Sequence, residues 1–176
     1  MRNPSSGIYL TGFLTCTGLM LAALYFEHFM GLDPCPLCMF QRVFVVAIGL
    51  VCLIGFFHRP GIFGRRVYAG FIVVFSLLGA AIASRQVWLQ SLPADQVPEC
   101  GPDLNFMLEA FPLLDTISTV FSGSGECAEI QWLFLGLSMP TWMVMIFAVI
   151  CLIALRELFR AGPVCLARSG LKASQL

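Results

Sequence analysis

Cys35-Pro36-Leu37-Cys38 stands at the mouth of an apolar run, with Arg42 one helical turn further in. A bridge across two intervening residues closes almost no chain, so it removes little unfolded-state entropy. Its usual value lies in reactivity. A cysteine at a helix start beside a cation has a lowered thiol pKa and is a better thiolate and leaving group. Pro34 and Pro36 suit the start of a helix, and Cys38 and Arg42, four residues apart, share a helical face. The chemistry implied is thiol–disulfide exchange next to a guanidinium. A second pair, Cys100 and Cys127, lies far downstream. Pro98-Glu99-Cys100-Gly101-Pro102 cannot be helical: its prolines favour extended backbone before them. That strip should present Cys100 to a protein partner, because exchange needs access to one sulfur.

The elements that must position these thiols are helices in a membrane. The chain has 176 residues, 59% hydrophobic and only 11% charged, with a mean hydropathy of +0.88. A soluble domain carries about 25% charged residues. Four runs approach the roughly 20 residues a span needs: about 8–26, 39–57, 67–89 and 140–155. The first is too long and too weakly basic at its start for a cleaved signal peptide, and no small-x-small site follows it. It is expected to be retained. A single all-α membrane domain follows, a four-helix bundle with outer loops over about 27–38 and 90–139.

Charge is sorted along the chain although the net charge is zero. Between Gln86 and Met139 there are seven acids and no Lys or Arg. Arg59, Arg65 and Arg66 lie between spans two and three, and Arg156, Arg160, Arg168 and Lys172 lie in the tail. The positive-inside rule makes both termini cytoplasmic and the Cys35 end external. Nucleic-acid binding has no support. Arg85, near the outer end of span three, is expected to be an interfacial anchor that snorkels to the surface, and His28 to serve as an interfacial hydrogen-bonding group.

Eight cysteines do not make four disulfides. Cys16, Cys52 and Cys151 fall inside spans and read as small hydrophobes. Cys165 lies on the reducing side. Cys35, Cys38, Cys100 and Cys127 remain outside. One Cys-x-x-Cys and two distant single cysteines are not a usual zinc signature. In the long loop, Leu104, Met107, Leu108 and Phe111, then Leu113, Ile117, Val120 and Phe121, recur at helical spacing. They predict one or two short amphipathic helices, broken at Pro112 and lying on the membrane surface. Ser122-Gly123-Ser124-Gly125 reads as a flexible joint before Cys127. Trp88, Trp132 and Trp142 read as interfacial anchors.

Taken together, these residues resemble the DsbB family: four helices, Cys-x-x-Cys opening helix two and followed by Gln41-Arg42, a second cysteine pair in the outer loop, and Ser-Gly-Ser-Gly-Glu-Cys-Ala-Glu before helix four. The resemblance covers essentially the whole chain, most clearly 24–147. It implies an inner-membrane thiol:quinone oxidoreductase that reoxidises a periplasmic DsbA-like oxidase. Cys100–Cys127 would be the disulfide attacked by that partner, with the mixed disulfide at Cys100. Cys127 would then exchange with Cys35, and Cys38 would be released beside the quinone and form a charge-transfer adduct. Arg42 would sit at the quinone head group. The electron acceptor implied is ubiquinone, or menaquinone without oxygen, with no metal, haem or flavin. Some relatives carry a His near the outer end of helix three. Here Arg85, Gln90 or Ser91 is expected to cover its role, unless that role is dispensable.

Two other readings fit parts of the pattern. A vitamin-K-epoxide-reductase-like enzyme has similar chemistry, but that family places its Cys-x-x-Cys near the end of the bundle. A tetraspanin-type scaffold would use its loop disulfides only for shape, but such loops usually carry Cys-Cys-Gly, which is absent here.

Overall fold

The computed structural model describes residues 4–32, 34–93, 125–128 and 132–160. Four long helices dominate: α1 (Pro4–Met30), α2 (Pro36–His58), α3 (Ile62–Gln90) and α4 (Met139–Arg160). Each is long and apolar enough to cross a membrane. All four run beyond the apolar windows expected from sequence. Backbone hydrogen bonding continues past the hydrocarbon boundary, whereas hydropathy fades there. One helical turn (Gly125–Ala128) and an antiparallel hairpin, β1 (Leu133–Phe134) with β2 (Leu137–Ser138), precede α4. Gly125, expected in a flexible joint, opens that turn. The rest of the joint, the amphipathic segments over 104–121 and Cys100 lie outside the described residues.

Local chemistry sets the helix ends. Gly31, at φ +63, reverses the chain after α1, and the Leu32 N–H donates back to the Phe26 carbonyl at 3.3 Å. Cys35 caps α2 from extended backbone, its sulfur accepting the Cys38 N–H at 3.4 Å, with Pro36 next in the chain. Proline at a first helical position loses only an N–H that would lack a partner anyway. Pro60 follows α2, which leaves a short link to α3.

α1 packs on α2, α2 on α3, and α3 on α4. Small residues let the backbones approach. Gly12 lies against Cys52 and Gly49 against Cys16, while Gly79 lies under the Phe147 ring. Cys16, Cys52 and Cys151 are all buried in the bundle. At the end away from Cys35, Arg65 pairs with Glu157 at 2.7 Å, and the Tyr68 hydroxyl lies 2.8 Å from His58 Nδ1. Outward-facing Leu21, Leu50, Leu77 and Leu152 stay exposed, as suits a bundle solvated by lipid tails.

Candidate functional site

The buried stripe of α2 runs through Leu37, Gln41, Val45, Ile48 and Cys52. That of α3 runs through Ile72, Ser76, Gly79, Ala83 and Gln86. Where the stripes meet, at the Cys35 end, the apolar core gives way to sulfur and amide groups.

Cys35 and Cys38 sit one turn apart at the start of α2, so their sulfurs share a face. The Cys35 thiol donates to the Cys38 sulfur at 2.9 Å. Leu37, Ile82 and Leu89 enclose Cys35 together with Cys127. Cys127 is 1% exposed, and its side chain hydrogen-bonds Cys35. Hydrogen bonding to Cys127, then to Cys38, pushes the Cys35 thiol up from its ordinary range, and burial adds to the effect. Cys35 therefore holds its proton, and negative charge arising in the cluster falls on another sulfur. Three of the four cysteines singled out by sequence are thus brought together.

Gln86 was not among the residues singled out. Its Nε2 donates to both Cys35 and Cys38 sulfurs at 3.2 Å. Its Oε1 accepts from Gln41 Nε2 at 2.8 Å. Both glutamines are 4% exposed. The three residues offered for a role near the end of α3 divide. Arg85 lies over the Trp88 ring, 4.2 Å from its centre. The Ser91 hydroxyl donates to the Trp88 carbonyl at 2.6 Å. Only Gln90 of those three lines the cavity described next. His28 lies against its own helix, 3.1 Å from the Leu24 carbonyl.

A cavity of about 150 Å³ opens beside the dithiol, between α1, α2, α3 and the start of α4. Its polar wall includes Glu27, Cys38, Gln41, Arg42 and Gln86, and Met20, Trp132 and Met143 contribute apolar wall. Arg42 does not face it unpartnered. Its Nη1 is paired with Glu27, and its Nη2 donates to the Ala23 carbonyl at 3.4 Å. A guanidinium has five N–H donors, so further donors remain for a ligand. Trp132 stacks on Phe134 and packs on Phe26 of α1, and Trp142 Nε1 donates to the Phe134 carbonyl at 3.2 Å. The hairpin thus closes the same end of the bundle. Its tip needs left-handed backbone at Leu135 and Gly136.

Chemically, the site can exchange disulfides among three sulfurs and pass charge toward a cavity that fits one ring. An apolar cavity of about 150 Å³ is enough to hold benzene.

Comparison with known proteins places these features in a family. The family profile described as "Disulfide bond formation protein DsbB" matches residues 5–156. A protein of Nitrosococcus oceani named "Disulfide bond formation protein B" is 49% identical over 162 residues, covering 92% of this chain and 96% of its own. One of that name from Hahella chejuensis is 53% identical over 140 residues, 80% of this chain and 85% of its own. Another from Saccharophagus degradans is 50% identical over 135 residues, 77% and 81% respectively.

Proposed function

The chain belongs to the DsbB family of disulfide bond formation proteins, multi-pass membrane proteins, and on that premise we propose that it is a thiol:quinone oxidoreductase of the bacterial inner membrane. Its reductant is a DsbA-like periplasmic dithiol, and its electron acceptor is ubiquinone, or menaquinone without oxygen. The observation that carries the proposal is the chain of sulfurs from Cys127 through Cys35 to Cys38, ending on the wall of a ring-sized cavity.

In this scheme the partner thiolate attacks Cys100 of the Cys100–Cys127 disulfide and releases Cys127. Cys127 then attacks Cys35 of the Cys35–Cys38 disulfide. The S–S bond breaks, a new one forms between Cys127 and Cys35, and the electron pair leaves on Cys38. Cys38 adjoins the cavity, and Arg42 is the nearby cation that polarises an acceptor carbonyl there. A bound quinone supplies an acceptor for two electrons and two protons. A strong thiol oxidant such as DsbA has a potential of about −120 mV, so its reoxidation needs a sink that ordinary thiols do not provide.

The test is anaerobic mixing of the purified protein, quinone and a reduced DsbA-like dithiol. Stoichiometric quinol, with a transient visible charge-transfer band that requires Cys38, supports the proposal. No quinol on any timescale, while the cysteines still exchange with the dithiol, would overturn its quinone half.

A further inference from the structure

We propose that the Gln86 side-chain amide holds negative charge on the Cys38 sulfur, and that Gln41 is the positioning residue that keeps this amide turned toward the thiols. The inference rests on the thiol-exchange half of the proposed function and not on the quinone.

Several observations converge. The two sulfurs lie 2.9 Å apart, and Gln86 Nε2 is 3.2 Å from each. A primary amide has two N–H donors, so one nitrogen can serve both sulfurs as a fork. The direction of the fork is set from the far side. Gln41 Nε2 donates to Gln86 Oε1 at 2.8 Å, joining α2 to α3 across 45 residues of sequence. An oxygen held by Gln41 leaves the nitrogen facing sulfur. The Cys38 thiol can return a weak bond to the same Oε1 at 3.5 Å. Once Cys38 loses its proton, the N–H donor at 3.2 Å is the shorter of the two contacts with the amide, and the oxygen at 3.5 Å is held by Gln41. Polar residues buried between membrane helices are costly and mark function by default. An amide supplies donors there without the desolvation cost of a buried charge.

The fork has a use in exchange. When a thiolate attacks Cys35 in the Cys35–Cys38 disulfide, the attacking sulfur is oxidised as its new S–S bond forms. Cys38 is reduced as the old bond breaks, and the electron pair stays on Cys38. No other oxidant or proton is needed. A donor preorganised at the atom where charge appears is the general device of electrostatic catalysis.

The experiment uses the reduced full-length protein in lipid nanodiscs, without quinone or partner. Iodoacetamide labelling at Cys38 is followed by peptide mass spectrometry across a pH series. Gln86→Leu is expected to slow labelling of Cys38 at neutral pH about tenfold and to move the rate profile up by about one pH unit, the equivalence of those two readouts being a property of thiolate titration. Gln41→Leu, which leaves the amide free to turn, is expected to give a smaller shift in the same direction. Gln86→Met keeps the length of the side chain but removes the N–H donors, so it must slow labelling about as much as Gln86→Leu. That second variant keeps the test valid if the leucine variant fails to fold. Wild-type labelling profiles in folded Gln86→Met or Gln86→Leu protein overturn the inference. A protein that fails to reduce quinone yet keeps the Gln86 dependence leaves the inference standing and removes only the quinone half.

Discussion

Arg42 gives the most discriminating test of the proposed electron acceptor, because the structure supplies a partner that changes the arithmetic. Arg42 and Glu27 are the charged residues among the described lining of the cavity, and they are paired with each other. Arg42→Gln removes a charge-assisted hydrogen bond to a developing oxyanion, worth about 2 kcal/mol, or about thirtyfold in kcat/KM for quinone. It also strands the Glu27 carboxylate on the cavity wall. Two charges about 6 Å apart interact by about 3 kcal/mol at an effective dielectric of 20. The Glu27 side chain is 29% exposed, so solvent screening cuts that to about 1 kcal/mol, a further fivefold or so. The single variant should therefore lose about 150-fold, and the double variant Arg42→Gln/Glu27→Gln only about thirtyfold. The assay is the anaerobic loss of quinone absorbance with a reduced DsbA-like dithiol, alongside single-turnover exchange with that dithiol in the absence of quinone. The exchange rate should not change. Unchanged quinone kinetics in Arg42→Gln would remove Arg42 from the acceptor site. Equal losses in the single and double variants would refute the claim that Glu27 shares that site.

Cys38→Ser leaves Cys35 with no disulfide for Cys127 to attack, so quinol formation should be abolished and the mixed disulfide between the partner and Cys100 should accumulate, visible on non-reducing gels and located by peptide mass spectrometry; quinol formation by this variant would break the proposed order of exchange. Cys35 should label slowly with iodoacetamide even near pH 8.5, where an ordinary thiol is half ionised, because hydrogen bonding to Cys127 and Cys38 keeps it protonated. The same shift has a sign in stability. The folded thiol binds its proton more tightly than the unfolded one, so its contribution is full below about pH 8.5 and declines as pH rises toward the folded value; denaturant titrations of the reduced protein on either side of that pH check it. Gly79→Ala would put a Cβ 2.5 Å from Phe147 Cζ, in a ring that is 0% exposed. Overpacking of this kind costs about 1–3 kcal/mol, read as a lower midpoint of thermal unfolding in detergent.

The elements of this molecule are legible because each carries a local signal. Four apolar runs give four helices, and Pro36 after Cys35 marks the start of α2. Ser76, Gly79, Ala83 and Gln86 repeat at three and four residues, so the stripe that buries α3 could also have been read. Extending that period would have placed Gln86 inside the bundle and Arg85 outside it. Glu27 is harder to read. It lies just past the window where hydropathy fades, yet α1 continues to Met30 and keeps it on the helix beside Arg42. The Gln41–Gln86 contact had no signal in one chain at all. Its partners are separated by 45 residues, and only the way α2 leans on α3 makes them neighbours.

The charge balance of the site explains why so few ions surround so reactive a group. A lone guanidinium near the dithiol would favour thiolate permanently, and burying it at a membrane boundary would cost several kcal/mol. Pairing Arg42 with Glu27 removes most of that cost and leaves the resting cavity near neutral. The stabilisation that a departing sulfur needs then has to come from groups that carry dipoles and no net charge. The Gln86 amide, oriented by Gln41, meets that requirement, and its N–H groups face the sulfurs before any charge arrives. Neutral donors at sulfur and a compensated cation one turn deeper separate two tasks, release of the thiolate and polarisation of the acceptor. Variants at Gln86 should therefore alter the pH profile of sulfur reactivity more than the acceptor's KM, and variants at Arg42 should alter the acceptor kinetics more than the pH profile. If both residues moved both quantities by the same factor, the two tasks would be one, and the division of labour drawn from these contacts would be wrong.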